Sequence, residues 1–305
     1  MKLGYLFSGQ GKQFDGMGQD LYQQEDIYRQ TIDEASDVLG LNLSDPSVMS
    51  DPQNTQVAIV AMSTGIYRIL ENEIGSPIGA AGLSLGEYSA LIAARGIQFE
   101  DALPLVRDRS QYMDQAGKNH PGKMAAVLKA NPDIVGEACR VGSQAGDIYP
   151  ANFNTTSQIV IGGSKDGLAA ATDYLHEHGI KRVVPLKMSV ASHTPFMQEA
   201  SDLLATRIKD VYFHDFKFPV ISNTTKKPFE VASTKQTLVD QLVNPTHFVD
   251  CLQILHGMDT QAMIEIGPGD TLMKFAAKTI ANVKVYHVDS LETLNDVRSN
   301  MKLVK

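Results

Sequence analysis

Residues 78–87 read Ile-Gly-Ala-Ala-Gly-Leu-Ser-Leu-Gly-Glu, and their centre has the pattern Gly-x-Ser-x-Gly. Good helix formers follow over residues 87–95, and Gly96 is the predicted helix stop. A strand, a sharp turn and a helix are the context of a nucleophile elbow, whose serine sits at a strained backbone position. The N–H groups that begin the helix, that of Leu85 first, would face a developing oxyanion. The same pattern also fits a turn of small residues without chemistry.

Length, composition and charge describe an ordinary globular protein with a large core. The chain has 305 residues, of which 43% are hydrophobic and 20% charged. A net charge of −8 argues against nucleic acid or an anionic membrane as the main partner. Cys139 and Cys251 have neither disulfide nor metal-site spacing, so we expect a reducing, cytoplasmic compartment. There is no signal-peptide pattern and no apolar run near the roughly 20 residues that span a bilayer.

The two outer parts of the chain alternate helices with short apolar strands. This alternation predicts a mostly parallel sheet covered on both faces, in a flavodoxin-like or hydrolase-like α/β core. Predicted helices include residues 19–39, 55–73, with Asn54 as a cap, and 195–211. Gln10 lies between glycines directly after the first strand, where α/β folds place active-site loops.

The middle of the chain has a different order of elements. Residues 123–186 predict strand, helix, strand, strand, helix and strand, which is the split pattern of a ferredoxin-like fold. We therefore expect a ferredoxin-like subdomain over residues 123–189, inserted into a core formed by residues 1–122 and 190–305. The active site would lie in the cleft between them.

Two charged or titratable residues stand out near this predicted cleft. Residues 100–113 have helical spacing that places Arg109 on the apolar face of the helix. An arginine there is either a structural residue with its head at the surface or a receptor for a carboxylate. His193 lies in the loop Ser189–Pro195, before the next helix, and is the candidate base for a serine nucleophile. It could equally be incidental to a helix-capping loop.

Taken together, these motifs resemble the malonyl-CoA:acyl-carrier-protein transacylases of bacterial fatty-acid synthesis and the acyltransferase domains of polyketide synthases. Residues 9–13 resemble the family's G-Q-G-x-Q, residues 82–87 its G-H-S-L-G-E, and residues 109–113 its R-G-x-x-M. Further stretches occur in the family's order and spacing along nearly the whole chain: residues 122–127, 152–154, 192–193, 241–245 and 265–269.

The resemblance implies a reaction and roles for individual residues. The malonyl group would pass from malonyl-CoA to the phosphopantetheine thiol of acyl carrier protein through a malonyl-serine intermediate. No ATP, metal or redox cofactor would be needed, and we expect a monomer. The implied roles are nucleophile (Ser84), base and later acid (His193), oxyanion hole (Gln10 and Leu85), malonyl carboxylate receptor (Arg109), other substrate contacts (Met113, Asn152 and Asn154) and orientation of the histidine through a backbone carbonyl (Gln241).

The sequence also departs from the family pattern. Leu83 replaces a common histidine, Ser110 a glycine, and Asp270 a common basic residue after Gly-Pro-Gly. Ser192 occupies a position that is often phenylalanine in malonyl-selective polyketide domains, so strict malonyl selectivity is less firmly implied.

Three other interpretations stay open on the sequence alone. They are a serine acyl-CoA hydrolase that uses His256 or His287, the acyltransferase subunit of a malonate decarboxylase, and a non-enzymatic acyl-binding module. The last would be expected to have lost Ser84, His193 or Arg109, and all three are present.

Overall fold

A computed structural model describes residues 1–187 and 190–301. The strands are β1 Leu3–Phe7, β2 Gly79–Gly82, β3 Lys123–Leu128, β4 Ile148–Thr155, β5 Gln158–Gly163, β6 Arg182–Pro185, β7 Val220–Ile221, β8 Ala262–Ile266 and β9 Lys284–Val288. The helices are α1 Gln19–Gln24, α2 Asp26–Leu39, α3 Pro46–Met49, α4 Thr55–Ile74, α5 Gly86–Ala93, α6 Phe99–Asn119, α7 Pro132–Gly142, α8 Lys165–Glu177, α9 Gln198–Arg207, α10 Thr234–Asp240, α11 Phe248–Gly257, α12 Thr271–Thr279 and α13 Leu291–Asn300. Within these described ranges, no helix is both long and apolar enough to cross a membrane.

The larger sheet has five strands in the order β7-β2-β1-β8-β9, and all neighbours are parallel. Successive side chains of each strand point to opposite faces of the sheet, and helices cover both faces. Tyr5 and Phe7 pack on the side of α4, whereas Leu6 packs on the side of α11 and α12. Phe7 at the end of β1 pairs with Gly82 at the end of β2, so the loops that leave these strands start side by side.

The smaller sheet has four strands in the order β4-β5-β3-β6, with antiparallel neighbours. Helices α7 and α8 cover one face through a cluster that includes Val135 and Leu175. The strand-helix-strand-strand-helix-strand succession confirms the predicted ferredoxin-like arrangement beside a parallel core. The limits of residues 1–122, 123–189 and 190–305 stay a prediction, and Ser189, like residues 302–305, lies outside the described residues.

The smaller sheet is attached to the core through β4. The Thr246 N–H donates to the Ala151 carbonyl at 2.9 Å, and the Phe153 N–H donates to the Thr246 carbonyl at 2.7 Å. The Phe153 ring stacks on His247, with 4.9 Å between ring centroids. The segment between α10 and α11 is therefore held against the smaller sheet.

One predicted helix was wrong because a tertiary contact interrupts it. The helix predicted over residues 19–39 is two helices, α1 and α2, separated at Glu25, whose backbone is extended (φ −118°, ψ 109°). The carboxylate of Glu25 accepts from the Arg298 guanidinium of α13 at 2.6 Å. The helix predicted over residues 195–211 begins and ends in 3-10 turns, Pro195–Met197 and Ile208–Asp210, which flank α9.

Two predicted helix-end residues have other functions in the fold. Asn54 makes no side-chain cap and instead donates to the Val48 carbonyl at 3.1 Å. At the end of α5 the left-handed residue is Arg95, at φ 60°, rather than Gly96. Gly96 is needed for space, since a Cβ there would lie 2.1 Å from the Phe216 ring.

The glycines of the 82–86 turn are likewise required by close packing. A Cβ on Gly86 would lie 2.1 Å from the Phe7 carbonyl oxygen, and one on Gly82 would lie 2.0 Å from the Gly86 carbonyl. Neither glycine has a positive φ, whereas Ser84 between them does, at 54°. The glycines therefore bring α5 against the end of β1 while the serine takes the strained conformation.

Gly86→Ala is expected to lower the free energy of unfolding by about 3 kcal/mol, because the methyl group has no room beside Phe7. Gly136→Ala in α7 is the matched control: no atom lies within 4 Å of its Cβ position, so the change should raise stability by about 0.5–1 kcal/mol. Urea denaturation of both variants measures this. Equal effects at the two positions would contradict the packing explanation.

Candidate active site

Ser84 lies between β2 and α5, with its backbone held from both sides. At φ 54° it occupies the left-handed region, which confirms the predicted strain. This conformation costs about 1–2 kcal/mol for a residue with a Cβ. The Ser84 N–H donates to Asn223 Oδ1 at 3.0 Å, and its carbonyl accepts from Gln241 Nε2 at 3.1 Å. These tertiary hydrogen bonds hold the backbone that presents the hydroxyl.

His193 contacts the hydroxyl directly. Its Nε2 lies 2.8 Å from Ser84 Oγ, and its Nδ1 lies 2.8 Å from the Gln241 carbonyl oxygen. A backbone carbonyl only accepts, so the proton of the neutral imidazole is on Nδ1 and Nε2 is free to accept from the serine. His193 is also left-handed, at φ 63°, and its N–H donates to the Leu242 carbonyl at 3.0 Å.

The surroundings of His193 favour the neutral ring. Burial lowers the pKa of His193 to about 4, the hydrogen bond to the Gln241 carbonyl opposes the shift, and the Arg109 charge adds to it. No carboxylate among the described residues hydrogen-bonds to Nδ1, where serine hydrolases usually place one. At neutral pH the ring is therefore ready to accept a proton.

Arg109 brings a buried positive charge to the same place. Its side chain, on α6, is 1% exposed. Its Nη1 donates to Gln56 Oε1 at 2.6 Å, and its Nη2 donates to Gln241 Oε1 at 3.2 Å and to Ser84 Oγ at 3.3 Å. The guanidinium lies 5.4 Å from the centre of the Tyr88 ring. Burial lowers the pKa of Arg109 from its ordinary value, but guanidinium remains charged in proteins.

The two predicted oxyanion donors lie in loops that follow adjacent strands of the parallel sheet, β1 and β2. Leu85 precedes α5, and within the described residues its N–H has no hydrogen-bond partner, whereas the next three N–H groups donate to the carbonyls of residues 83–85. Gln10 follows β1, and its Oε1 accepts weakly from Gln56 Nε2 at 3.5 Å. Gly9 lies so close to the Leu83 carbonyl that a Cβ would be 2.6 Å away. The loops that carry Gln10 and Leu85 therefore touch.

The other predicted substrate contacts are less closely tied to this cluster. Met113 and Arg109 share a contact, Gln56, whose Nε2 is 3.8 Å from the methionine sulfur. Asn152 donates to Thr246 Oγ1 at 2.8 Å, and Asn154 is buried, with no partner for its Oδ1 in the described structure. No hydrogen bond joins either asparagine to Ser84, His193 or Arg109 in the part of the chain that is described. Their substrate-binding roles stay a prediction.

Some residues of the cluster were not found from the sequence. Gln56 faces Arg109 from α4, and an amide among the buried apolar residues of that helix was an available signal. Asn223 follows β7 and holds the Ser84 N–H, but no local pattern marks it. Glu87, fully buried, contacts both Asn223 and Gln241.

Two of the residues that depart from the family pattern, Leu83 and Asp270, have ordinary surroundings. Leu83 packs against the core cluster on the α11 side of the sheet, and Asp270 pairs with Lys274 at 2.6 Å. Ser192 is buried, and within the described residues its Oγ has no hydrogen-bond partner. His256 is exposed on α11 and His287 lies 3.8 Å from Asp289, and neither hydrogen-bonds to Ser84 in the described structure. A hydrolase site built on those histidines is therefore not what the fold forms.

Comparison with known proteins identifies the family. Residues 4–301 match the acyl transferase domain family. The chain belongs to this acyl transferase family. The malonyl CoA-acyl carrier protein transacylase of Bacillus subtilis (strain 168) is 33% identical over 301 residues, which cover 96% of this chain and 95% of the relative.

Solved structures of acyl transferases superpose on nearly the whole chain. The crystal structure of MCAT from Streptococcus pneumoniae has a TM-score of 0.94 and 38% sequence identity, and covers 98% of this chain and 100% of its own. A malonyl-transacylase in complex with a type II PKS acyl-carrier protein has a TM-score of 0.92 and 32% identity, with coverage of 98% and 100%.

The environment of His193 predicts an unusual pH dependence. With the pKa of His193 at about 4, kcat/KM for acylation of Ser84 should stay nearly constant from pH 8 down to pH 5 and fall only below that. An unperturbed histidine, with a pKa of about 6.5, would be only about 3% neutral at pH 5. Stopped-flow acylation rates across this range measure the effect, with circular dichroism to verify folding. An acid limb near pH 6.5 would contradict the burial argument.

Proposed function

We propose that this acyl transferase moves a malonyl group from malonyl-CoA to the phosphopantetheine thiol of acyl carrier protein, in support of fatty-acid synthesis. The observation that carries the proposal is a buried cation, Arg109, hydrogen-bonded to the hydroxyl of a serine that also contacts a neutral histidine. A nucleophile next to a carboxylate receptor suits an acyl group that ends in a carboxylate. The names of the relatives, at about one-third identity over nearly the full length, support the same substrate and carrier.

The first half of the reaction would acylate Ser84. His193 Nε2 takes the hydroxyl proton while Ser84 Oγ forms a bond to the thioester carbonyl carbon of malonyl-CoA. The carbonyl oxygen becomes an oxyanion, which the N–H groups of Leu85 and Gln10 would stabilise. One such donor is typically worth about 3–4 kcal/mol in the transition state. The carbon–sulfur bond then breaks, His193 returns its proton to the CoA thiolate, and a malonyl-serine ester remains.

The second half would reverse these steps with a different thiol. The phosphopantetheine thiol of acyl carrier protein gives its proton to His193, and its sulfur attacks the malonyl ester. Collapse of the intermediate returns the proton to Ser84 and releases malonyl carrier protein. A thiol is more acidic than water, so the weakly basic His193, oriented by a carbonyl instead of a carboxylate, is sufficient for this attack.

We infer a cytoplasmic location for this activity. Cys139 and Cys251 are both free and buried, which suits a reducing compartment. The monomeric state expected from the sequence stays a prediction.

A covalent intermediate on Ser84 is the most direct test of the proposal. Incubation with malonyl-CoA should add one malonyl group to the intact protein, located on the peptide that contains Ser84, and steady-state kinetics should be ping-pong. Ser84→Ala should not be labelled, whereas Ser89→Ala, a buried serine further along α5, should be labelled like the wild type. Intact-protein and peptide mass spectrometry provide the measurement. Labelling of the Ser84→Ala variant would overturn the assignment.

Arg109 should decide between malonyl and acetyl groups. Loss of a buried, hydrogen-bonded charge pair costs on the order of 2–5 kcal/mol, so Arg109→Ala should lower kcat/KM for malonyl-CoA by about 30-fold or more. Acetyl-CoA has no carboxylate, so its transfer should fall far less or even rise. Arg109→Lys should recover only part of malonyl transfer because an ammonium lacks the planar fork. If Arg109→Ala reduces both substrates by one factor, Arg109 is a structural residue.

A further inference from the structure

Glu87 is a fully buried carboxylate that the transfer reaction does not use directly. It lies in the first turn of α5, three residues after Ser84, and is 0% exposed. Its Oε1 accepts from the Asn223 backbone N–H at 2.5 Å, and its Oε2 accepts from Gln241 Nε2 in a short contact. Burial raises the pKa of Glu87 to about 8, although both of these donors and the charge of Arg109 favour the ionised form. Because both partners are donors, the geometry fits the ionised carboxylate.

Glu87 is one of three groups that fix which way the Gln241 amide points. As placed, Nε2 donates to Glu87 and to the Ser84 carbonyl, and Oε1 accepts from Arg109 Nη2. A flipped amide would set its oxygen against the carboxylate and the Ser84 carbonyl, and its N–H groups against the guanidinium. Each of these contacts would be repulsive, so an ionised Glu87 reinforces the orientation that holds Arg109.

Within residues 1–187 and 190–301, Glu87 is the only carboxylate linked to Arg109 through a shared side-chain amide. No ion pair of Arg109 occurs in those ranges, so the amide of Gln241 stands between the buried cation and the buried anion. A direct ion pair would occupy the guanidinium that a malonyl carboxylate needs. Separation by one amide balances the buried charge without placing a side-chain carboxylate on the guanidinium.

We propose that Glu87 is a positioning residue for malonyl selection: through the Gln241 amide it orients the Arg109 guanidinium towards Ser84 and balances its charge. Through Asn223, whose Oδ1 accepts from the Ser84 N–H and whose Nδ2 donates to the Gly82 carbonyl at 2.8 Å, the same carboxylate supports the strained turn. This inference rests on the proposed malonyl transfer.

The test compares two substitutions that separate charge from shape. Glu87→Gln keeps the size of the side chain but removes the charge, and its amide would drive Gln241 to turn its N–H groups towards Arg109. Glu87→Asp keeps the charge but shortens the side chain and leaves a gap. The readout is the ratio of the rates at which malonyl-CoA and acetyl-CoA acylate Ser84, measured by intact-protein mass spectrometry.

We expect Glu87→Gln to lower this malonyl-to-acetyl ratio by about tenfold, mainly through a higher KM for malonyl-CoA, and Glu87→Asp to lower it by less. If Glu87 only fills space, Glu87→Asp, which leaves a gap, is the less stable variant, and the malonyl-to-acetyl ratio of both variants stays within about twofold of wild type. That result would overturn the proposal. Glu100→Gln, the same change at an exposed position in the first turn of α6, is the matched control and should leave the ratio unchanged.

Gln241→Met provides a second, independent variant in case Glu87→Gln does not fold. It removes the side-chain amide but keeps the backbone carbonyl that holds His193, so the ratio should fall as in Glu87→Gln. An unchanged ratio in folded Gln241→Met would also overturn the proposal. Malonylation of the wild type separates a failure of the proposed function from a failure of the role of Glu87. If wild-type Ser84 is not malonylated, the proposed function is wrong. If the wild type is labelled normally and the variant ratios are unaltered, only the role proposed for Glu87 is wrong.

Discussion

The Arg109 guanidinium is buried next to Ser84, and within the described residues only amides and a hydroxyl hydrogen-bond to it. Burial of a charge without compensation is costly, so the surrounding structure has to supply oriented dipoles in place of water. Gln56 on α4 and Gln241 after α10 supply them from opposite sides. The placement of an amide in the apolar α4 helix follows from this one requirement.

The same charge affects the chemistry at Ser84. It lies close enough to add to the effect of burial on His193, which stays neutral and able to accept a proton. Because His193 is oriented by a backbone carbonyl, no carboxylate hydrogen-bonded to this ring competes with a bound anion for Arg109 in the described structure. One arrangement of neutral dipoles thus serves a weak base and an anion receptor together, which suits exchange of an acyl group between thiols.

Both residues that react have strained backbones. Ser84 and His193 both have left-handed backbones, and long-range hydrogen bonds to Asn223, Gln241 and Leu242 hold them. The segment after Gln241 is in turn bonded to β4 of the smaller sheet through Thr246. The smaller sheet therefore contributes to the geometry of the site from outside it.

Local patterns in the sequence were sufficient to predict the secondary-structure elements and the main candidate active-site residues. The Gly-x-Ser-x-Gly turn, the strand-helix order of residues 123–186 and the position of Arg109 on an apolar helix face all depend on neighbours within a few residues. The predicted pattern begins at residue 123, which is also the first residue of β3, Lys123–Leu128. Resemblance to a family then joined Ser84, His193, Arg109 and Gln241, which spacing alone could not do.

Only the tertiary structure decided how those residues are held. Ser84 and Asn223 are 139 positions apart, Arg109 and Gln56 are 53 apart, and Glu87 and Gln241 are 154 apart, so no local pattern reports on these contacts. The break at Glu25 depends likewise on Arg298, 273 positions away. Helix and strand periodicity follows from the covalent chain and the burial of one face, whereas the pairing of buried polar groups depends on which distant segments the fold brings together.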